Sequence, residues 1–450
     1  MATSTSSGDG SEIFVLPSIG SGHLFPSIEL CHLISSPNCT TTTLLLLPSN
    51  LLPSLPPSFR HRTAALSSLP ASPHHHQDPA RDQFASDLET HISTRRPLCA
   101  VVDFKVGWTK HIFWKFRVPV VSFFTFGASA AAMEWGAWKS DAHSMNPGEA
   151  RPIAGLPPEM RLNYLDVQSR RGGPKPGYQP PWVPMIEGSV GLMFNTCDDL
   201  ERPFLDYLSD QIGLPVWAVG PLLPELCWTS RPGSLILERQ IRPPKRESNY
   251  TDDELIQWLD SKPRGSVLYV SFGTETCPTP DEYPELAGAL EDSTHPFIWV
   301  IQHGPGGEES YFPHGLASKV GDRGLIIRGW APQLLILSHP AAGGFLSHGG
   351  WNSTAEAAVL GVPVLAWPVR GDQIFNAKLV VKHLQIGAMA LREGSVEVAR
   401  KDIAEGIERL MCDREVHRRA KAVRARFGSG FPASSAAALD AFREFIHQNA

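Results

Sequence analysis

Two sets of residues in this sequence have types and spacings suited to chemistry. The first begins at a Gly-x-Gly turn, Gly20-Ser21-Gly22, which follows an apolar run and puts His23 at the start of a helical pattern. A neutral imidazole there suits a general base, because a helix N-terminus lowers its pKa and keeps it unprotonated. A structural histidine capping the turn is the other reading. Asp103 ends an apolar strand pattern (AVVD, 100–103) at the same predicted rim. A carboxylate beside an imidazole fixes its tautomer and stabilises the imidazolium once a proton has been taken. A strand-end Asp capping the next helix is the alternative.

The second set is denser. His348-Gly349-Gly350-Trp351-Asn352 is a glycine turn between a strand and a helix pattern, a place where backbone N–H groups can approach an anion. Ser353-Thr354-Ala355-Glu356 fits a capping box, in which Glu356 would close back on the cap. The same carboxylate, one turn into the helix, could instead accept two ribose hydroxyls. Trp330 follows another strand pattern and offers a flat face on which a base could stack. A nicotinamide dinucleotide is disfavoured at the first turn. Phe25 stands where a third glycine is needed, Pro26 follows, and no acidic residue ends the second strand pattern, TTTLLLLPSN.

The elements that must position these residues alternate along the chain. Apolar runs at 13–17, 41–47, 100–103, 118–125, 191–195 and 216–219 read as buried strands, with helices at 25–34, 127–138 and 200–212. Residues 221–250 are rich in Pro, Arg and Ser and read as a linker. Strands at 267–272, 297–301, 325–327, 344–347, 364–367 and 388–391 then alternate with helices at 252–260, 280–290, 332–337, 353–360, 374–383 and 396–411. Such alternation predicts two doubly wound α/β domains with ligands in the crevice at the carboxyl ends of the strands. HHH at 74–76 and the Pro/Gly-rich stretch 172–184 read as loop insertions near its mouth.

Composition narrows the class. At 450 residues the chain exceeds one ordinary core, and 42% hydrophobic with 19% charged residues is globular rather than disordered. A net charge of −6 gives no basic surface for nucleic acid. The seven cysteines are scattered and never form CxxC, which suits reduced thiols in the cytosol and no zinc site. Neither a signal peptide nor an apolar run long enough to span a membrane is expected. The sequons at Asn38 and Asn249 carry no weight without secretion.

Residues 330–373 now identify a resemblance. WAPQ (330–333), HPAAGGFLSHGGWNS (339–353), Glu356, GVP (361–363), GDQ (371–373) and Asn376 resemble, almost position by position, the sugar-nucleotide signature of plant family 1 UDP-dependent glycosyltransferases. GSGH (20–23), VVD (101–103), VGPLLP (219–224), WLD (258–260) and VLYVSFGT (267–274) fall in that family's order, so the likeness covers nearly the whole chain. The family has Cys where Gly349 stands, and an apolar or aromatic residue would be expected in place of Lys105.

The resemblance implies the GT-B fold: an N-terminal acceptor domain over 1–222, a linker over 223–250, a UDP-sugar domain over 251–432, and a C-terminal helix, 433–450, crossing back onto the first domain. It implies that Trp330 stacks on uracil beside Ala331 and Gln333, and that Glu356 takes the ribose hydroxyls. His348, Asn352, Ser353, Thr274 and Ser18 would hold the diphosphate, while Trp351, Asp372 and Gln373 read the sugar. His23 would be the base and Asp103 its partner. Trp351 together with Gln373 goes with UDP-glucose in this family. No metal is expected, as no Asp-x-Asp occurs in the chain. The expected activity is inverting glucosylation of a phenolic small molecule, a flavonoid before other classes, by a cytoplasmic monomer. Phe124, Thr125 and Met133 are the candidate acceptor contacts. C-glycosylation of an activated ring carbon, or a catalytically silent UDP-sugar-binding protein, are the alternatives.

Overall fold

The structure is a computed structural model that describes residues 12–35, 41–56, 59, 61–69, 79–168, 175–229, 234–242, 247–302, 312–390 and 398–449. Continuous apolar runs become most of the parallel strands, buried on both faces. In the first half these are β1 (Glu12–Leu16), β2 (Thr42–Pro48), β3 (Arg62–Leu66), β4 (Cys99–Asp103) and β5 (Val120–Phe124). A two-residue ribbon, β6 (Ala150–Arg151) and β7 (Leu162–Asn163), precedes β8 (Gly191–Phe194) and β9 (Val216–Ala218). The main sheet has seven strands in the order β3-β2-β1-β4-β5-β8-β9. The second half supplies β10 (Val267–Ser271), β11 (Phe297–Ile301), β12 (Gly324–Arg328), β13 (Ala342–Ser347), β14 (Val364–Ala366) and β15 (Gly387–Met389). They form a six-stranded parallel sheet in the order β12-β11-β10-β13-β14-β15.

Strand order reverses in each sheet, between β1 and β4 in the first and between β10 and β13 in the second. At such a switch point the connections leave in opposite directions and open a crevice above the strand ends. The two doubly wound halves predicted from the alternation are the architecture observed. The final helix, Ala433–Asn449, packs on the first half: Leu439, Phe442 and Ile446 join the cluster around Trp217 and Val219. Ser435 Oγ donates to the Gly220 carbonyl at 2.6 Å, and Arg443 donates to the Leu33 carbonyl at 2.7 Å. No helix among the described residues is long and apolar enough to cross a membrane.

Several elements differ from the sequence reading. β3 and the helix Pro79–Thr94 are additional; β3 buries only Leu66, and the helix buries Phe84, Leu88 and Ile92 among polar neighbours. β3 has too thin an apolar signal to register as a strand, and the helix carries a single i, i+4, i+8 row among polar and charged residues. The basic helix Arg414–Arg426 is also additional and buries only Ala420 and Val423. The first helix starts at Ser21, four positions before the residue expected, so that His23 lies inside it. The histidine run 74–76, Asn38 and residues 172–174 lie outside the described residues.

One buried carboxylate anchors the wall that will face the crevice. Glu201 is fully buried, and its oxygens accept from the N–H groups of Ala128 (2.7 Å) and Ser129 (2.8 Å), capping the helix Ala128–Lys139. Burial pushes its pKa up, opposed by these hydrogen bonds. Glu201→Ala leaves two buried donors unpaired and should cost about 2–4 kcal/mol. Glu201→Gln, which keeps one acceptor, should cost clearly less. Urea unfolding checks both; an Ala variant as stable as the parent would contradict the capping role.

Candidate active site

A cleft of about 570 Å³ lies where the two switch points face each other. On the N-terminal side, Gly20 (φ 108°) turns the chain from β1 into the helix Ser21–Ile34 and brings His23 to the cleft wall. His23 Nδ1 lies 2.6 Å from Asp103 Oδ2 and 3.0 Å from Thr125 Oγ1. Asp103 ends β4, is fully buried, and accepts from the Lys105 N–H through its other oxygen at 2.9 Å. With Nδ1–H directed at the carboxylate, Nε2 carries the lone pair and is the nitrogen free to take a proton. The strand-end cap and the imidazole partner therefore coexist in one Asp103: one oxygen serves each.

On the C-terminal side, β13 leads through His348 into the helix Trp351–Leu360. Gly350 is the N-cap, with no side-chain cap, so Ser353 lies inside the helix and no capping box forms. The first N–H groups of that helix are left without intrahelical partners and point into the cleft region lined by Gly350 to Ser353. A Cβ on Gly350 would come within 2.4 Å of His348 Nε2, and one on Gly273 within 2.9 Å of its Cε1, so glycines admit the imidazole on both sides. Burial pushes the His348 pKa down to about 4, with Arg370 adding to the effect, so the ring is neutral at pH 7. Its Nδ1 is buried with no hydrogen-bond partner among the described residues. Gly349 adopts φ 77°, a left-handed conformation that glycine takes without strain.

Glu356 is taken up differently from a cap. Its Oε2 accepts from Gln333 Nε2 (2.7 Å) and its Oε1 from Arg242 Nη1 (2.7 Å). Gln333 also donates to Ser353 Oγ at 3.0 Å. Trp330 lines the same end, with the Arg239 guanidinium 5.0 Å from its ring centre. At the opposite end, Asp372 accepts from Asn376 Nδ2 at 2.7 Å, and burial pushes its pKa up. Gln373 Oε1 accepts from the N–H groups of Val369 and Arg370, both at 2.9 Å, which leaves its amide nitrogen as the group to offer.

The halves meet across this cleft through the helix Trp351–Leu360. Pro26 has no N–H, so the Gly22 carbonyl loses its usual i→i+4 partner. Asn352 Nδ2 donates to that carbonyl at 3.2 Å. Trp351 Nε1 donates to the Asn195 carbonyl at 2.6 Å, and its ring packs where a Cβ on Gly127 would come within 2.5 Å. The indole N–H is thus committed to the partner half, and what Trp351 can offer a sugar is its ring and backbone N–H. Asn195 is a hub: its side chain accepts from the Leu222 N–H (2.6 Å) and donates to the Thr125 carbonyl (3.2 Å).

Of the residues anticipated from sequence, His23, Thr125, Thr274, Trp330, Ala331, Gln333, His348, Trp351, Asn352, Ser353, Glu356, Asp372 and Gln373 line this one cleft, and Asp103 lies directly behind His23. Ser18, Phe124 and Met133 do not line it. Ser18 is buried at the end of the first strand run. Phe124 is stacked in the core between Phe104 (5.1 Å) and Phe194 (4.4 Å), and Met133 is fully buried beside it. A helix and a strand each turn their most apolar side chains inward, so the cleft wall on this side falls to their neighbours: Phe104, Phe126, Trp182 and Glu134. Glu134 Oε2 accepts from Trp182 Nε1 at 2.7 Å, and burial pushes its pKa up to about 7. Trp182 comes from the Pro-rich insertion, whose position near the mouth was legible from composition. Arg242, Glu238 and Asn195 had no sequence signal.

Comparison with known proteins agrees with this geometry. The family model described as UDP-glucoronosyl and UDP-glucosyl transferase matches residues 246–421. Scopoletin glucosyltransferase of Nicotiana tabacum is 34% identical over 73% of this chain and 69% of its own length. UDP-glucose flavonoid 3-O-glucosyltransferase 7 of Fragaria ananassa is 31% identical over 73% and 69%. The crystal structure of a transferase from Siraitia grosvenorii in complex with UDP superimposes with a TM-score of 0.77 at 26% identity, covering 97% of this chain and 99% of that one. With the GT-B fold and this degree of likeness, the chain belongs to the plant family 1 UDP-glycosyltransferases and is a glycosyltransferase acting on small molecules.

Proposed function

We propose that this enzyme transfers glucose from UDP-glucose to a hydroxyl of a phenolic small molecule, with inversion, and that a flavonoid-like acceptor fits best. The observation that carries the reading is the His23–Asp103 pair at one switch point, opposite the helix Trp351–Leu360 at the other, in a single cleft. The sugar donor would lie along the C-terminal wall, over residues of 251–432. Its uracil would stack on Trp330 beside Ala331 and Gln333, its ribose would rest on Glu356, and its glucose would lie near Trp351, Asp372 and Gln373. The acceptor would lie against Phe104, Phe126 and Trp182 of the N-terminal half, where flat apolar walls suit an aromatic ring. The names of the tobacco and Fragaria relatives, which specify scopoletin and a flavonoid, support an acceptor of this kind.

His23 Nε2 takes the acceptor hydroxyl proton as that oxygen forms its bond to the anomeric carbon. The bond from that carbon to the UDP oxygen breaks on the opposite face, and its electron pair leaves with UDP. Asp103 stabilises the imidazolium so formed. The charge that develops on the leaving diphosphate meets the helix N-terminus and the neutral donors of Thr274, His348, Asn352 and Ser353, which reduces the need for a divalent cation. Ser18, being buried, would act through the turn rather than on phosphate. The free thiols among the described residues (Cys31, Cys99, Cys197, Cys227, Cys277 and Cys412) support a reducing, cytoplasmic setting, and the enzyme is proposed to act as a monomer.

His23→Ala should lower turnover by about 10²–10⁴ while UDP affinity by calorimetry is unchanged. Equal loss of both would sink the base assignment, and tight UDP binding without product in the parent enzyme would leave only a binding protein. Product mass and acid lability distinguish an O-linked hexose from a C-linked one. Turnover should also persist in excess chelator; a rate that collapses and returns with magnesium would refute metal independence.

A further inference from the structure

The carboxylate assigned to the ribose is not alone. Arg242, on the connection between the halves, donates to Glu356 Oε1 at 2.7 Å and to Glu238 Oε1 at 3.3 Å. Its guanidinium also covers the ring of Phe25, on the helix that carries His23, at 5.1 Å. Side-chain exposures are 11% for Arg242, 5% for Glu238 and 2% for Glu356, so two carboxylates share one cation in a largely dry site. Glu238 is itself pinned, because its Oε2 accepts the Leu334 N–H at 2.7 Å. All three residues line the cleft.

A carboxylate has roughly four lone-pair sites. Arg242 and Gln333 each occupy one, on different oxygens, which leaves one acceptor site per oxygen. That remainder matches a vicinal diol. We propose that Arg242 is a positioning and selectivity residue of the nucleotide site: by pairing with Glu356 beside Glu238, it preserves a two-point acceptor that demands both the 2′- and 3′-hydroxyls of a ribonucleotide. The inference rests on the reading of Glu356 as the ribose contact.

Among the described residues, the other titratable groups coupled to this cluster are acidic: Glu29 on the helix Ser21–Ile34, Glu225 and Cys227 on the connection, and Tyr269 on β10. Burial holds Glu238 up at about 7, opposed by Arg242 and reinforced by Glu356. Burial likewise raises Glu29 to about 7. Without the cation, two carboxyls this close cannot both stay ionised near neutrality, and they share a proton. A proton held between the two carboxyls occupies an acceptor site of Glu356. Affinity for the diol then falls as pH falls through the range in which the pair takes up that proton.

The test is calorimetric binding of UDP and of 2′-deoxyuridine diphosphate between about pH 6 and 8, the interval around the raised carboxyls. The parent enzyme should prefer UDP by about tenfold or more, as expected for one hydrogen bond to a charged group, with a preference nearly flat in pH. In Arg242→Gln the preference should shrink toward unity at the acid end and return at the alkaline end. Adding Glu238→Gln removes the second carboxyl and should restore a flat preference. That double variant still exposes the proposal to refutation if Arg242→Gln does not fold, and Arg242→Lys, which keeps the cation, should then retain the flat preference of the parent. Preference lost in the double variant would mean that Arg242 contacts the nucleotide directly, and would overturn the proposal, as would a flat, parent-like preference in Arg242→Gln. If the parent itself does not discriminate, the ribose reading of Glu356 fails instead.

Discussion

The site depends on a short hydrogen-bonded seam between the two halves. Asn352 reaches the Gly22 carbonyl, and Trp351 reaches the Asn195 carbonyl. Neither bond would exist without a local vacancy on the other side. Pro26 frees the first carbonyl from helix bonding, and Gly127 leaves room for the indole that makes the second. Because Gly22 precedes His23 in the same helical turn, the helix Trp351–Leu360 is tied within one residue of the imidazole. A bond between halves that spans 330 positions in sequence thus holds the two walls of the cleft together beside His23.

Charge is handled by burial and pairing more than by accumulation. His348 is neutral in its buried place, so it adds a hydrogen-bonding group to the cleft rather than a charge. Buried charges gather at the Gln333 end of the cleft, where Arg242, Glu238 and Glu356 offset one another. Burying them is costly, and replacing such a cluster with apolar groups commonly stabilises a protein. Its retention in the cleft is understandable if the arrangement serves a ligand. On the N-terminal wall, Glu134 accepts from Trp182 with its carboxyl raised to about 7 by burial, a polar point beside Phe104 and Phe126.

What escaped the sequence reading did so for consistent reasons. β3 and the helix Pro79–Thr94 bury few side chains each, and the helix Arg414–Arg426, though amphipathic, is so rich in Arg that its buried stripe is reduced to Ala420 and Val423. Phe124 and Met133 were reasonable acceptor contacts by composition, yet an aromatic run on a central strand fills the core first. Arg242 lies in a stretch without period, where only three-dimensional proximity to Glu356 gives it meaning.

By itself the sequence determined the alternating α/β architecture, the rim on which His23, Asp103 and His348 would lie, and the family. These follow from local rules: buried strands read as apolar runs, glycine turns mark where backbone must approach an anion, and strand ends are where doubly wound sheets bind ligands. Tertiary structure alone decided that Asp103 serves both a cap and the imidazole, that Glu356 forms no capping box, and that Asn195, Trp351 and Arg242 join the halves. Those outcomes turn on distances of a few ångströms between residues far apart in the chain, and on competition among partners for one carboxylate or one carbonyl. Local propensity carries no information about which partner wins.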